Sequence, residues 1–229
     1  TVAVIGIGVS NQPLIDVLLS HGIEVTACDR KSREELGVLG DTLTSKGAKL
    51  RLGADYLQNL REDIIFRTPG MRPDLPELQA AIANGSRLTS EMEIFFEICP
   101  CPIIAVTGSD GKTTTTTMIA ELLRRAGKTV HLGGNIGHPL LAEAGDIHPE
   151  DIAVLELSSF QLDNMYKFRA NIAVLMNITP DHLDRYDHCM QKYVDAKFRI
   201  TQNQTPEDAF IFWNDDPIIQ KELHKYGIH

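Results

Sequence analysis

One stretch constrains the fold more than any other: IIAVTGSDGKTTTTTMIAELLRRAG, residues 103–127. An apolar run at 103–106 leads into a turn bounded by Gly108 and Gly111, and then into five consecutive threonines at 113–117. Threonine is β-branched and stiff at χ1, so propensity alone favours a strand. The spacing favours a helix. Thr115, Met118, Ile119, Leu122, Leu123 and Ala126 fall on one helical face, Glu121, Arg124 and Arg125 on the other, and Gly127 ends the run. Threonine costs at most about 0.7 kcal/mol per residue against alanine in a helix, and tertiary packing overrides that. A strand, a glycine turn and a helix in this order aim backbone N–H groups at an anion.

The same rhythm runs through the chain. Strands are expected at 2–5, 23–28 and 64–66, with helices at 13–20 and 75–83. A boundary near Ser90 is crossed by a short helix at 92–98. Further strands are expected at 103–106, 129–132, 152–157, 172–176 and 209–213. This alternation predicts an α/β protein of two domains. Residues 1–90 would form a Rossmann-like domain. Residues 91–229 would form a P-loop-type domain, a mostly parallel sheet with flanking helices. Ligands should gather at the carboxyl ends of the strands.

The bulk numbers narrow the function classes. The chain has 229 residues, 43 % hydrophobic and 23 % charged, an ordinary globular balance. A net charge of −9 argues against a general nucleic-acid binder. No segment approaches the roughly 18 apolar residues of a membrane span. Residue 1 leads straight into a strand, so no signal peptide is expected, and the absent initiator Met suggests a trimmed start. The four cysteines are Cys28, Cys99, Cys101 and Cys189, with no CxxC pair. Cys99 and Cys101, with one residue between them, are expected to be too close for ordinary bridging. Idle thiols in a reducing compartment, the cytoplasm, are the expectation.

The candidate site residues follow from the loop. Thr107, Gly108, Ser109, Asp110, Gly111, Lys112, Thr113 and Thr114 would cradle phosphates. Lys112 would meet the outer phosphates and the Thr113 hydroxyl would face Mg²⁺. The strict G-x-x-x-x-G-K-[ST] pattern is not met, because Val106 stands where its first glycine belongs. A plain glycine turn before a core helix is the competing reading. Glu156 ends an apolar strand at the same sheet edge, where a carboxylate suits a hard cation; a strand-end charge meeting solvent is the alternative. NITPDHLDRY places Asp181, His182 and Asp184 after another strand. Donor hardness favours Asp181 over His182 for Mg²⁺, and spacing leaves His182 open between ligand and structural histidine. Lys197 falls inside the apolar arc of Cys189, Met190, Tyr193, Val194, Ala196 and Ile200. It either snorkels to the rim or sits desolvated and neutral, in which case its amine can take up CO₂ as a carbamate.

Taken together, TGSDGKTT, GGNIG, LELSSFQLD, NITPDHLDRY and YVDAKFRI resemble, in this order, the Mur ligases of bacterial peptidoglycan synthesis. SSFQL and DHLDRY are most similar to the D-glutamate-adding branch. The likeness covers essentially the whole chain and is strongest over 103–200. It implies an ATP-dependent amide ligase working through an acyl phosphate, with UDP-N-acetylmuramoyl-L-alanine, D-glutamate and ATP as substrates. It further implies two Mg²⁺ sites drawing on Thr113, Glu156, His182 and a carbamylated Lys197. Lys112, Glu156, His182 and Lys197 would be catalytic. Asn135, Ser158 and Gln161 would contact the UDP-muramoyl substrate, and Gly8, Val9, Ser10, Asp29, Arg30 and Gly70 its uridine diphosphate. A monomer is expected.

Two departures qualify the likeness. The family's third, C-terminal domain is not represented, so a fragment without turnover of its own is expected. Asp110 replaces a common asparagine in the loop, placing like charge beside phosphate. Two rivals stand beside the ligase. One is a UDP-sugar or nucleotide binding module without catalysis. The other is an NAD-dependent oxidoreductase, suggested by Gly6-x-Gly8 and Asp29, although Asn11 occupies the place of the third glycine.

Overall fold

The structure is a computed structural model that describes residues 1–8, 11–137, 139–163, 165–181 and 183–226. It divides into two compact units, Thr1–Ile94 and Phe95–His229.

In the first unit the chain runs β1 (Val2–Ile5), α1 (Asn11–Ser20), β2 (Val25–Asp29), α2 (Arg33–Leu36), α3 (Val38–Ser45), β3 (Lys49–Leu52), β4 (Ile64–Phe66), α4 (Pro76–Ala83) and β5 (Arg87–Thr89). The division between the units falls inside α5 (Glu91–Ile98). The strands form one parallel sheet in the order β3-β2-β1-β4-β5. All four residues of β1 are buried, as a strand covered on both faces requires. Ala3, Ile5, Cys28, Ile65, Leu57, Leu60, Leu78 and Ala81 form a core cluster. Each large aliphatic side chain there contributes about 1.5–3 kcal/mol.

The edge strands β3 and β5 were not expected. Their sequences, KLRL and RLT, are half-polar, because an edge leaves Lys49 and Arg87 exposed and most of their neighbours only half-buried. Helices α2 and α3 were also missed. Ser32 and Glu35 form a capping box that starts α2, a signal that was legible in the sequence.

The second unit continues with β6 (Ile103–Thr107), α6 (Lys112–Arg125), β7 (Val130–Gly134), β8 (Ile152–Glu156), α7 (Ser159–Leu162), β9 (Ile172–Leu175), α8 (Met190–Phe198), β10 (Ala209–Phe212) and α9 (Pro217–Glu222). Its sheet is also parallel, in the order β10-β9-β6-β8-β7. Strand β6 is central, so the loop that follows it lies between the carboxyl ends of β8 and β9.

The threonine run is helical, as its spacing predicts, but the buried face differs from the predicted one. Thr116 and Ala120 are fully buried, while Met118 is 58 % and Leu122 64 % exposed, and Ala126 is exposed too. Small residues let α6 lie close against the sheet. The buried Thr116 hydroxyl donates to Lys112 O at 2.8 Å, which satisfies the one polar group that this face buries. Among the described residues no helix is long and apolar enough to cross a membrane.

Candidate active site

The loop after β6 is held from three sides. The Thr107 hydroxyl donates to Leu157 O at 2.7 Å, tying the loop to the end of β8. On the β9 side, Asn177 clamps it. The Asn177 Oδ1 accepts from Ser109 N at 3.0 Å and Asp110 N at 2.9 Å, and its amide donates to Asp110 O at 3.2 Å. Ser109 Oγ donates to Thr179 O at 2.9 Å, accepts from Thr179 N at 2.9 Å, and lies 3.0 Å from the Tyr193 hydroxyl. Asp110, the like-charge departure, accepts from the Thr179 hydroxyl at 3.1 Å. Gly111 caps α6 with φ +77°, a conformation that suits glycine. Sequence reasoning did not assign Asn177 or Thr179 a role. Short polar residues directly after a strand are the signal that could have found them.

Glu156 ends β8 in register with Val106 and Gly134, and it is buried. Its Oε2 accepts from the Thr113 hydroxyl at 2.7 Å and its Oε1 from the Asn135 amide at 3.0 Å. Backbone N–H of Asn135 donates to Glu156 O at 2.8 Å. Lys112 Nζ donates to Ser109 O at 2.8 Å, folded back over the loop. Thr113, Asn135 and Glu156 therefore meet at the first turn of α6, beside Lys112. A buried carboxylate beside a hydroxyl and an amide is an all-oxygen-and-amide setting that fits Mg²⁺. Among the described residues no group of three or more His, Cys, Asp or Glu is arranged to hold a metal.

Lys197 does not snorkel. It lies on α8 at 2 % exposure, its Nζ donating to Gly108 O at 2.7 Å and sitting 4.6 Å from the centre of the Tyr193 ring. Burial pulls its pKa down to about 7, and the Lys112 charge adds to the shift, while Asp181 and Asp110 oppose it. The sign follows from linkage. Below about pH 7 both folded and unfolded chains carry the proton, and the contribution to stability is flat. Above it the unfolded chain still binds a proton that the folded chain has released, so stability rises with pH. Buried Cys28 and Cys101, each pushed up to about 12, act oppositely above the ordinary thiol value of about 8.5. Between pH 7 and about 8.5, the wild type is expected to gain on the order of 1 kcal/mol relative to Lys197→Met. Urea unfolding of both proteins at the two pH values checks this, and equal changes would show that Lys197 does not titrate there.

Ser158 and Gln161 occupy each other. Ser158 caps α7, accepting from Gln161 N at 3.3 Å, while its own N–H and hydroxyl donate to Gln161 Oε1 at 2.9 and 3.0 Å. Thr114 is exposed on the first turn of α6. Asp181 is exposed, and so is Asp184 within the turn Leu183–Tyr186. His182, Val9 and Ser10 lie outside the described residues.

In the first unit, Gly8 and Gly70 sit on the loops that follow β1 and β4, where the sheet's strand order reverses. The two loops approach closely, since a Cβ on Gly6 would lie 2.5 Å from Thr68 Cγ2. Asp29 ends β2, its carboxylate accepting from Ile7 N at 2.7 Å and Lys31 N at 2.9 Å. Asn11, standing at the third-glycine position of the dinucleotide pattern, donates its amide to Ile5 O and Gly6 O at 3.1 and 2.9 Å. Arg30 is exposed.

A central parallel strand, a glycine loop opening a helix with Lys and Thr, and a buried strand-end carboxylate define an α/β protein of two parallel sheets whose second sheet carries a glycine loop at its central strand. Residues 106–229 match the family described as Mur ligase middle domain, and the chain belongs to the Mur ligase family. It is a homologue of the D-glutamate-adding ligases. It is 51 % identical over 218 residues to the UDP-N-acetylmuramoylalanine–D-glutamate ligase of Ruminiclostridium cellulolyticum, covering 95 % of this chain and 46 % of that protein. To the Bacteroides thetaiotaomicron ligase of the same name it is 56 % identical over 169 residues, covering 74 % and 38 %. The chain thus spans about half the length of the curated relatives it matches. Among solved structures it resembles a UDP-N-acetylmuramate:L-alanyl-gamma-D-glutamyl-meso-diaminopimelate ligase from Neisseria meningitides, with a TM-score of 0.61 and 20 % identity over 98 % of this chain and 74 % of that one. That likeness concerns the fold.

Proposed function

We propose that this chain carries the nucleotide-binding and UDP-muramoyl-binding parts of a cytoplasmic, ATP-dependent ligase that joins D-glutamate to UDP-N-acetylmuramoyl-L-alanine. One observation carries the reading: the Thr113 hydroxyl and the Asn135 amide converge on the buried Glu156 carboxylate beside the Lys112 loop. The homology to D-glutamate-adding ligases supports the choice of substrate. ATP with Mg²⁺, when bound, supplies the phosphoryl group that activates the substrate carboxylate as an acyl phosphate for attack by the amine.

The chain's own residues would prepare that step. Lys112 turns from Ser109 O to the outer phosphates, and the N–H groups at the start of α6 hold them. Thr113 and Glu156 present oxygen to one Mg²⁺, with His182 assigned to the second. Lys197, near-neutral and buried, adds CO₂ at Nζ and loses a proton, so that a cation becomes an oxygen ligand. Asn135, Ser158 and Gln161 face the muramoyl part, which requires the Ser158–Gln161 pair to open. Gly8, Val9, Ser10, Asp29, Arg30 and Gly70 hold the uridine diphosphate. Alignment of two anions and neutralisation of their charge supply most of the rate.

Binding is the direct test. Calorimetric titration with ATP is expected to show saturable binding that requires Mg²⁺, and titration with UDP-N-acetylmuramoyl-L-alanine is expected to show binding of its own. Binding of NADH, with neither of the other two ligands bound, would point to the oxidoreductase instead.

A further inference from the structure

Cys99 and Cys101 take no part in the proposed ligase reaction. They flank Pro100 on the connection between α5 and β6, a segment that is irregular rather than strand. Their sulfurs lie 3.6 Å apart, and Cys99 Sγ is 3.7 Å from Cys101 O. Both cysteines are free. Their spacing, with one residue between them, led to the expectation that they would be too close for ordinary bridging. The local bend brings both sulfurs to one side, in van der Waals contact. Proline restricts its own φ and the conformation of the residue before it, so this arrangement is held in the reduced chain and need not be found by search.

The two thiols differ in access. Cys99 is half-buried and follows the last turn of α5, where its N–H donates to Phe95 O at 2.8 Å. Cys101 is buried, and burial with the neighbouring Cys99 pushes its thiol up to about 12. An accessible thiol that reacts first, with a buried one in contact to displace what has been added, is the arrangement of a reactive and a resolving cysteine.

We propose that Cys99 and Cys101 form a modification site that closes reversibly into an intramolecular disulfide by exchange with a small-molecule disulfide such as oxidised glutathione. The Cys99 thiolate attacks one glutathione sulfur. A Cys99–glutathione bond forms, the glutathione S–S bond breaks, and the first glutathione leaves as a thiolate that takes up a proton. Cys101 then attacks Cys99 Sγ, its proton passing to the sulfur of the second glutathione as that group leaves. The Cys99–Cys101 bond forms and the second glutathione departs. The two protein thiols lose two electrons and two protons in total, and the glutathione disulfide gains both. A ring closed through a single intervening residue departs from relaxed disulfide geometry, which makes it easy to reduce again. The bridge would lie at the amino end of β6, at the opposite end of that strand from the phosphate loop.

The test treats the folded full chain with excess oxidised glutathione, alkylates the remaining thiols and maps them by mass spectrometry. The expected product is a peptide containing both cysteines that is lighter by two hydrogen atoms, carries no glutathione, and regains two free thiols with dithiothreitol. Cys101→Ser should stop with one glutathione on Cys99. Cys99→Ser should react at residue 101 more slowly, by about tenfold or more, because that thiol is buried. Circular dichroism of each variant verifies the fold. Wild type that keeps glutathione on Cys99, leaves both thiols open to alkylation, or pairs either with Cys28 or Cys189 would overturn the proposal.

Discussion

Replacing Lys112 by alanine is expected to weaken Mg²⁺·ATP binding about ten- to hundredfold while leaving the fold intact. The ammonium now donates to Ser109 O, a carbonyl of the loop proposed to hold the phosphates, so its tether is short. A charge-assisted hydrogen bond is worth about 1.5–3 kcal/mol, and each 1.4 kcal/mol is tenfold in affinity. Lys112 is only half-buried on the first turn of α6, so its removal opens no deep cavity. Thermal unfolding should therefore change little. Isothermal titration of wild type, Lys112→Ala and Lys112→Arg separates charge from shape, because a guanidinium keeps the charge but not the point-like head. Affinity for Mg²⁺·ATP within threefold of wild type in the alanine variant would remove the loop from the nucleotide site.

Gly134→Ala is expected to destabilise the second unit by about 3 kcal/mol or more. Gly134 ends β7 at φ +96°, and a Cβ there would lie 2.1 Å from Glu156 O, 3.0 Å from Glu156 C and 3.1 Å from Glu156 N. Those atoms are backbone of β8 and cannot swing aside. Left-handed strain of about 1–2 kcal/mol adds to an overpacking cost of about 1–3 kcal/mol. The displaced segment also carries Asn135 and Glu156, so Mg²⁺-dependent binding should fall with stability. Gly127→Ala is the control: φ is +82°, but nothing lies within 4 Å of the added carbon, so only the backbone strain remains. Urea midpoints measure both variants. Equal losses would mean that β7 does not approach β8 as described.

The inner strands legible in the sequence share one cause. Strands buried on both faces must be continuously apolar, and β1, β4, β6, β8 and β9 announce themselves that way. Edge strands β3 and β5 carry Lys49, Arg51 and Arg87, so nothing in their composition separates them from loop. The glycine turn between β6 and α6 was legible because glycine is demanded by backbone geometry at a fixed offset from the helix start. The clamp of Asn177 and Thr179 was not, since it joins positions about 70 residues apart through side chains that are ordinary loop residues.

By itself the sequence determined the alternation of strand and helix, the glycine turn that opens α6, and the membership in a ligase family carried by its motifs. Those are local properties, set by periodicity and by residues whose backbone freedom or charge is distinctive. Only the tertiary structure decided that Thr116 and Ala120, not Met118 and Leu122, face the sheet, because closeness of packing rather than hydrophobicity selects the buried side of α6. It alone decided that Lys197 lies buried against Gly108 O and that Cys99 and Cys101 touch, since burial and contact belong to the assembled chain and not to spacing along it.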